Sequence, residues 1–297
     1  MLQIRSYGYT PQLGWSVSRY DAFTTCRRQY FYLYYAKHDL EHPPETIRAL
    51  RELTCVPLET GNVVHSVLAA IVGRLLRSRD GIDRGRFEQF VHRQVEQAVR
   101  QRRFSEVHYG EQEAVQVQDL LPAVQECLDA FLGSPRYAWI RDEALRLGWG
   151  NEWLIEPDGY GECRIDGMKA YCKVDFAFLV GQRLSILDWK TGRRDEAKHR
   201  RQLVAYATWA VHDQGVAPGQ VEAVVAYLRP EYAEVPLQPS AAEVDGFVAC
   251  MRAQTEELRA LCADADQNRP LPKEAFAMTE MGAICRHCNF RQLCGRA

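Results

Sequence analysis

Two short apolar segments in the middle of the chain stand out in the pattern of hydrophobic and polar positions. They cover residues 173–180 and 183–190, and both are rich in β-branched and aromatic residues, as buried strands are. Gly181 and Gln182 lie between them and suit a two-residue turn with glycine first. The chain therefore predicts a β-hairpin at its centre.

Helical periodicity, with apolar residues three and four positions apart, runs through most of the remaining chain. It predicts helices at 16–36, from near Thr60, at 86–104, 113–132, 195–214 and 239–264. Residues 38–58 contain three prolines and predict a loop-rich connection. Apolar runs predict further strands at 151–156, around 163–167 and at 221–228. This order of elements predicts an α/β fold with a mixed central sheet flanked by helices.

The chain of 297 residues is long enough to bury a substantial core, and we expect one domain over residues 1–297. Hydrophobic residues make up 46% of it and charged residues 26%, which is ordinary for a globular protein. Within the domain we expect an N-terminal helix at 16–36, a helical insertion at 66–148, a sheet-containing core at 150–230 and a cysteine-rich segment at 270–297.

The formal net charge of −2 is not that of a general polyanion binder, so any nucleic-acid surface must be local. No unbroken apolar run approaches the roughly 18 residues of a membrane-spanning helix, and the first residues lack the apolar region of a signal peptide. We therefore expect a cytoplasmic protein with no membrane partner. Disulfides are rare in that compartment, so the ten cysteines need another explanation.

The predicted hairpin brings two aspartates together. In a two-residue hairpin Val180 pairs with Arg183. Counting back along both strands then places Asp175 directly opposite Asp188, where Cβ atoms lie roughly 4.5–5.5 Å apart and like charges repel. On a surface hairpin, solvent would separate the two acids, but the apolar neighbours indicate burial, where unpaired carboxylates are costly. We therefore predict a Mg²⁺ or Mn²⁺ site, because both ions prefer oxygen ligands.

Lys190 shares a face with Asp188, because side chains alternate along a strand. Beside a metal ion, a lysine can orient water or stabilise charge that develops on phosphorus. The ion itself lowers the pKa of its water from about 15.7 towards neutrality. Gln202 and Tyr206 lie four positions apart in the next helix and can reach the same ligand. These residue types predict hydrolysis of a phosphodiester.

Two further features have both a structural and a functional interpretation. His65 lies in an apolar helical segment, where a histidine is more often a satisfied core residue than a ligand. Arg100, Arg102 and Arg103 form a basic cluster, which is either a solvated helix end or a phosphate contact. The residues alone favour the structural interpretation of both.

The cysteines near the C-terminus have the spacing of metal ligands. Cys285, Cys288 and Cys294 form a C-x₂-C-x₅-C run, whereas we assign six scattered cysteines to core packing. Three thiolates need one more ligand to complete the usual four, for zinc or for an iron–sulfur cluster. His287 is a candidate fourth ligand for zinc.

Taken in their order along the chain, these motifs resemble those of the PD-(D/E)xK nuclease superfamily and, within it, the RecB-like branch. The resemblance runs from about residue 16 to the C-terminus and rests on Gly61-x-x-x-His65, Glu152, Gly167 followed by Asp175, Asp188-Trp189-Lys190-Thr191-Gly192, and Gln202-Leu203-x-x-Tyr206-Ala207. Each motif alone is weak, but their order and spacing together are specific. The resemblance implies a restriction-endonuclease-like core and a Mg²⁺- or Mn²⁺-dependent deoxyribonuclease.

The resemblance also implies roles for individual residues. It assigns the divalent ion to His65, Asp175 and Asp188, which reverses the structural interpretation of His65. It implies that Lys190 assists the attacking water and that Glu152 is a further catalytic acid. It implies that Gln202 and Tyr206 organise the site or the DNA strand.

Iron–sulfur members of this branch, including the CRISPR-adaptation nucleases and the AddB subunit, place one cysteine in a helix before the nuclease motifs and three after them. Cys26 matches the upstream position. The resemblance therefore implies a [4Fe–4S] cluster on Cys26, Cys285, Cys288 and Cys294, with zinc as the alternative. Such a cluster would join the N- and C-terminal segments as a clasp.

The expected function is hydrolysis of single-stranded DNA or DNA ends in repair, defence or CRISPR adaptation. We also expect protein partners that belong to a complex of one of these pathways. The alternative is a non-catalytic DNA-binding or scaffold subunit with the same fold. The sequence does not separate DNA from RNA as the substrate.

Overall fold

The computed structural model describes residues 2, 5, 7–78, 80–144, 153–157 and 161–296. Its strands are β1 (Leu53–Thr54), β2 (Arg103–Phe104), β3 (Trp153–Ile155), β4 (Glu162–Ile165), β5 (Met168–Tyr171), β6 (Phe176–Val180), β7 (Arg183–Lys190), β8 (Val221–Tyr227), β9 (Ala233–Leu237), β10 (Cys262–Asp264) and β11 (Arg269–Pro270). Its α-helices are α1 (Val17–Thr25), α2 (Arg27–Tyr34), α3 (Pro44–Arg51), α4 (Val56–Leu75), α5 (Arg84–Gln101), α6 (Ser105–His108), α7 (Val117–Leu132), α8 (Pro135–Trp139), α9 (Glu196–His212), α10 (Ala241–Arg259) and α11 (Ala283–Arg286).

A five-stranded mixed sheet in the order β3-β6-β7-β8-β9 forms the centre of the described structure. Strands β7 and β8 are parallel, while the other neighbouring pairs are antiparallel. Helix α9 connects β7 to β8, as a parallel pair requires. The predicted α/β class and mixed sheet are therefore confirmed.

The central hairpin has the predicted turn and register, with Val180 opposite Arg183. The ladder ends at Phe176 and Leu187, so the predicted ladder pair between Asp175 and Asp188 is wrong in that form. Instead, Asp175 lies just before β6, and its Oδ2 accepts a hydrogen bond from the Trp189 backbone N–H at 2.8 Å. A side-chain contact thus replaces the next ladder bond and keeps Asp175 beside the end of β7.

The two faces of the sheet pack against different groups of helices. Ile186 of β7 belongs to a core formed with the N-terminal helices, α9 and α10. Leu187 and Trp189 face the other way, into a core formed with α4, α5 and α7. The Trp189 ring makes an edge contact with Phe131 of α7, with ring centroids 5.0 Å apart. The end of β7 therefore lies between two helical layers.

The first predicted helix is broken at Cys26, which has an extended backbone with φ of −162°. The break is set by the C-terminal segment, because the Arg28 backbone N–H donates to the Ala277 carbonyl at 3.2 Å. Arg28 Nε also donates to the Phe276 carbonyl at 2.9 Å. A helix through Cys26 follows from local periodicity, and these distant contacts override it. The Ser16 hydroxyl caps the start of α1 by accepting from the Arg19 N–H.

Other differences arise where the structure uses short elements. The connection predicted over 38–58 contains α3 and the short strand β1. Strands β5 and β9 were not predicted. Asp166 and Gly167, with φ of 49° and 75°, form the tight turn that folds β5 back onto β4. Short strands of this kind lack a periodicity long enough to stand out in the sequence.

Helix α4 is long and apolar enough, by length and composition, to cross a membrane. A search for an unbroken apolar run misses it, because polar residues such as His65 interrupt the run. Core helices pass the same test of length and composition. In α4 the side chains of Val64, Val67 and Leu68 are buried in the core that it shares with α7.

A buried ion pair holds the C-terminal segment against the chain that follows α2. Lys273 Nζ lies 2.9 Å from Asp39 Oδ2, and the two side chains are 6% and 0% exposed. Asp39 Oδ1 accepts from the backbone N–H groups of Glu41 and His42 at 2.7 and 2.8 Å. Burial alone would raise the pKa of Asp39, but Lys273 and these two N–H groups lower it below its ordinary value.

We expect Asp39→Asn to lower the free energy of unfolding by about 2 kcal/mol at pH 7, because it removes the buried counter-charge of the Lys273 ammonium and leaves only the exposed Glu41 carboxylate, 2.6 Å away. A carboxylate with a lowered native pKa stabilises the fold above its unfolded pKa and loses that effect as the pH falls. The difference between the two proteins should therefore shrink below about pH 4. Urea unfolding at pH 7 and at lower pH measures it.

The matched control is Asp266→Asn, at an exposed aspartate, which should change stability by less than about 0.5 kcal/mol. Equal losses in the two variants, or a loss that does not depend on pH, would contradict the assignment.

Candidate active site

Four segments bring polar side chains together at the end of β7. Helix α4 supplies His65, the residue after β3 is Glu156, Asp175 precedes β6, and β7 itself ends with Asp188 and Lys190. Helix α9 closes the far side. The cluster lies in a cleft of about 590 Å³, and His65, Glu156 and Lys190 line its wall.

Gly61 allows α4 to approach this cleft. It lies one turn before His65, and a Cβ added at Gly61 would come within 3.2 Å of Thr191 Oγ1, which is closer than ordinary packing. Glycine here therefore lets the helix pass close to the loop after β7. The predicted Gly61-x-x-x-His65 motif thus has a packing basis in this structure.

The His65 ring lies between a carbonyl and two carboxylates. Its Nε2 is 3.1 Å from the Trp189 carbonyl oxygen, to which it can only donate. Its Nδ1 faces Asp175 Oδ1 at 3.3 Å and Glu156 Oε1 at 3.6 Å. Metal-binding histidines typically donate their other ring N–H to a carbonyl or carboxylate, which fixes the orientation of the ring. Here the Trp189 carbonyl orients Nδ1 towards the two acids.

The two carboxylates also decide the charge of His65. Burial alone would lower its pKa, but the charge of Asp175 and hydrogen bonds with Asp175 and Glu156 raise it to about 10. The ring is then an imidazolium that partly neutralises the acids. A metal ion at Nδ1 would take the place of that proton.

Asp188 is the most buried acid of the cluster, at 1% exposure. Its Oδ1 accepts from the Tyr206 hydroxyl at 3.0 Å and from Gln202 Nε2 at 3.2 Å. Its Oδ2 is buried with the Lys190 ammonium 2.5 Å away. Burial and the nearby charge of Asp175 raise the pKa of Asp188, while Lys190 and Tyr206 act in the opposite direction.

Gln202 and Tyr206 lie on one face of α9, as their spacing predicts. Gln202 Nε2 also donates to the Tyr206 hydroxyl at 2.6 Å, which links the two side chains. Burial and the charges of Asp188 and Asp175 raise the pKa of Tyr206, so its hydroxyl stays protonated and donates to Asp188. Both residues therefore contact the acid-x-lysine motif through Asp188.

The ligand atoms of His65, Glu156 and Asp175 all lie within 4.8 Å of one another. One imidazole nitrogen and two carboxylate oxygens are a donor set that suits Mn²⁺ and Mg²⁺. Asp188 lies beside this group of three, and its role as a direct ligand stays a prediction. The residues present at this site thus fit a divalent ion.

Glu156 is the site residue that the sequence interpretation missed. Glu152, which was chosen instead, lies outside the described residues. Pairing of Ile155 with Phe176 places Glu156 next to Asp175, and the Glu156 N–H donates to the Asp175 carbonyl at 2.9 Å. Glu156 has φ of 34°, an uncommon backbone conformation for a residue other than glycine. Only the register between β3 and β6 reveals it.

The four predicted cluster cysteines line one small cavity, together with Tyr32 and Phe290. The break after α1 presents Cys26 to this cavity, and the last segment presents Cys285, Cys288 and Cys294. Arg296 Nη1 lies 3.0 Å from Cys285 Sγ. A backbone hydrogen bond with Gly282 and the Arg296 guanidinium lower the pKa of the Cys285 thiol. His287 is exposed and is not among the residues that line this cavity.

Comparison with known proteins agrees with the geometry. Residues 14–295 match the family model of the PD-(D/E)XK nuclease superfamily. A solved structure described as "Crystal structure of SSO0001" is similar at 16% sequence identity with a TM-score of 0.31, covering 64% of this chain and 78% of that chain. The search of curated proteins finds no match. Because the family match spans nearly the whole chain, the protein belongs to the PD-(D/E)XK nuclease superfamily, a group of metal-dependent nucleases.

Proposed function

We propose that this protein is a Mg²⁺- or Mn²⁺-dependent deoxyribonuclease that hydrolyses phosphodiester bonds in single-stranded DNA or at DNA ends. The observation that carries the proposal is the convergence of His65, Glu156 and Asp175 within 4.8 Å of one another, beside the acid-x-lysine motif. We further propose a cytoplasmic role in repair, defence or CRISPR adaptation, with protein partners from such a pathway.

The residues of this site have two roles, metal binding and stabilisation of the phosphate. His65 Nδ1, Glu156 and Asp175 would hold the divalent ion, with Asp188 as an adjacent acid. A divalent ion bound there would lower the pKa of its water molecule and neutralise charge on the phosphate. Lys190 stands at the cleft surface, 19% exposed, where its ammonium can orient water and stabilise charge on the phosphate oxygens.

Asp188 positions Lys190 in this scheme. The Tyr206 and Gln202 donors hold one oxygen of Asp188, and the other oxygen holds the ammonium. The arrangement holds the ammonium at the wall of the cleft, because its counter-charge is buried beside it. Outer contacts of this kind commonly change metal affinity or activity by about 10- to 100-fold when they are removed.

The alternative is a non-catalytic DNA-binding or scaffold subunit with the same fold. It is disfavoured by the group of His65, Glu156 and Asp175 that could hold a metal ion, together with Lys190 in the wall of the same cleft as His65 and Glu156. A purified protein that binds DNA and cleaves none with any divalent ion or strand type would support it.

We expect Lys190→Ala to lower the Mn²⁺-dependent cleavage of a labelled oligonucleotide by at least about 10²-fold, because it removes the cation beside the reacting phosphate. The matched control is Lys37→Ala, at an exposed lysine after α2, which should cleave at the wild-type rate. Single-turnover cleavage assays measure both variants, with circular dichroism as the test of folding. Wild-type cleavage by a folded Lys190→Ala protein would contradict the proposed role.

We also propose that Cys26, Cys285, Cys288 and Cys294 hold a [4Fe–4S] cluster. Two observations support this proposal. The four cysteines line one cavity, and the interruption between α1 and α2 turns Cys26 towards it. Thiolates are the usual ligands of such clusters. The pKa of Cys285 is lowered, whereas burial raises the pKa values of Cys288 and Cys294, so the support comes from the shared cavity and not from these pKa values. The cluster would connect the chain before α2 to the C-terminal segment.

We expect the protein purified without oxygen to be brown, with broad visible absorbance and about four irons per chain, as a [4Fe–4S] cluster requires. Cys26→Ser should remove most of this absorbance because it deletes the one ligand outside the C-terminal run. The matched control is Cys250→Ser, because Cys250 is exposed and is not among the residues that line the cavity. This variant should keep the visible absorbance. A colourless wild-type protein with one zinc per chain would overturn the iron–sulfur proposal.

A further inference from the structure

Tyr32 carries a buried hydroxyl for which the described residues supply no hydrogen-bond partner. The residue lies on α2, which begins directly after Cys26, and its side chain is fully buried. Its ring packs against Phe290 of the C-terminal segment, with ring centroids 5.3 Å apart. A buried hydroxyl without a partner costs free energy, and a phenylalanine would pack there without that cost. The hydroxyl therefore calls for an acceptor.

The cavity of the four cysteines offers acceptors of the right kind. Tyr32 lines this cavity together with Cys26, Cys285, Cys288 and Cys294. A phenol donates one O–H, and sulfur that carries negative charge accepts hydrogen bonds. The hydroxyl that lacks an acceptor and the sulfur atoms thus belong to the same cavity.

The charges around the Tyr32 hydroxyl also favour a donor role. Burial raises its pKa, the Lys273 ammonium lowers it, and the Cys294 thiolate raises it again, so that it lies above its ordinary value. The hydroxyl therefore keeps its proton at neutral pH. Arg28 acts on it too, but a guanidinium donates and does not accept. The proton of the hydroxyl is left for the sulfur side.

Arg296 is a second donor at the same cavity. Its Nη1 lies 3.0 Å from Cys285 Sγ and donates to the Thr279 carbonyl at 2.8 Å. The backbone N–H of Arg296 donates to the Arg291 carbonyl at 2.9 Å, which fixes the residue against the C-terminal segment. A guanidinium held at this distance forms a charge-assisted hydrogen bond with a thiolate.

Donors that contact sulfur change the properties of the group that the sulfur binds. Hydrogen bonds to the sulfur atoms are among the factors that set the reduction potential of an iron–sulfur cluster. Reduction adds negative charge, so a donor stabilises the reduced form more than the oxidised form. Removal of a donor therefore lowers the potential.

We infer that Tyr32 and Arg296 donate hydrogen bonds to sulfur atoms of the group that the four cysteines hold, and that these bonds set its reduction potential and slow its loss. The inference rests on the cysteine site given under the proposed function. It adds to that site two residues that are not themselves ligands. It concerns negatively charged sulfur, which a [4Fe–4S] cluster and a zinc ion bound by thiolates both present.

The first test is a reductive titration of the brown protein, followed by electron paramagnetic resonance. Tyr32→Phe removes only the hydroxyl and should shift the equilibrium about tenfold towards the oxidised cluster, which lowers the potential by about 59 mV for one electron. Arg296→Met removes a charged donor and should lower the potential at least as far. A wild-type potential in either variant would overturn the role of that residue.

The matched control is Tyr30→Phe. Tyr30 lies on the same helix, is equally buried, and is not among the described residues that line the cavity. Its hydroxyl accepts from Arg19 Nε at 3.1 Å. This variant should keep the wild-type potential although it loses a hydrogen bond. An equal shift in Tyr30→Phe and Tyr32→Phe would show that helix packing moves the potential, and would overturn the inference.

The second test detects the hydrogen bonds directly. Electron–nuclear double resonance of the reduced cluster in H₂O and in D₂O should show exchangeable protons coupled to the cluster. Tyr32→Phe should lack one of these couplings, and Tyr30→Phe should keep them all. An unchanged set in Tyr32→Phe would show that the hydroxyl serves the neighbouring Asp39–Lys273 pair instead, and would overturn its role at the sulfur.

The outcomes separate this inference from the proposals on which it rests. If the wild-type protein is brown and both variants keep its potential, the cluster stands and the inference fails. If the protein is colourless with one zinc per chain, the iron–sulfur proposal fails. Zinc transfer to a colorimetric chelator should then be several-fold faster from Tyr32→Phe and Arg296→Met than from the wild type and Tyr30→Phe, and equal rates would overturn the inference.

A wild-type protein that contains neither iron nor zinc would overturn both the cysteine site and the inference. None of these measurements involves DNA cleavage, so the nuclease proposal is tested separately.

Discussion

The repulsion between two neighbouring carboxylates, Asp188 buried and Asp175 half-buried, is the constraint on which the site depends. Asp175 and Asp188 lie at the end of the central strands, where burial raises the pKa of Asp188 and the charge of Asp175 raises it further. The surrounding residues supply compensation: the Lys190 ammonium and the Tyr206 hydroxyl contact Asp188, and the imidazolium of His65 contacts Asp175. A concentration of acids held this tightly is costly to a fold and is characteristic of a functional centre.

The groups that compensate the two acids come from helices on both faces of the sheet. His65 reaches the acids from α4 on one face of the sheet, and Tyr206 reaches them from α9 on the other. The sheet ends between the two layers, so the site is shielded on both faces and open along the strand ends. The Lys273–Asp39 ion pair holds the C-terminal segment against the chain that follows α2, and the shared cysteine cavity brings it beside Cys26 before α2. These contacts hold the first and last parts of the described chain together.

Local patterns in the sequence predicted the hairpin and its register, because turn length and side-chain alternation are short-range properties. They also placed Gln202 and Tyr206 on one helical face. The contact of His65 with the Trp189 carbonyl spans 124 residues, and no local pattern predicts it, so His65 entered only through a family resemblance. Glu156 depends on the register between β3 and β6, and the break at Cys26 depends on contacts with Phe276 and Ala277. Long-range contacts thus decide the features that sequence reasoning missed.

An anomalous difference map from crystals of the protein soaked in Mn²⁺ tests whether His65, Glu156 and Asp175 form one divalent-metal site. We expect a peak bounded by His65 Nδ1, Glu156 Oε1 and Asp175 Oδ1, with the Nε2 of His65 still bonded to the Trp189 carbonyl. An ordered Mn²⁺ that these three residues do not contact, or a site that stays free of Mn²⁺ at saturating concentration, would contradict it.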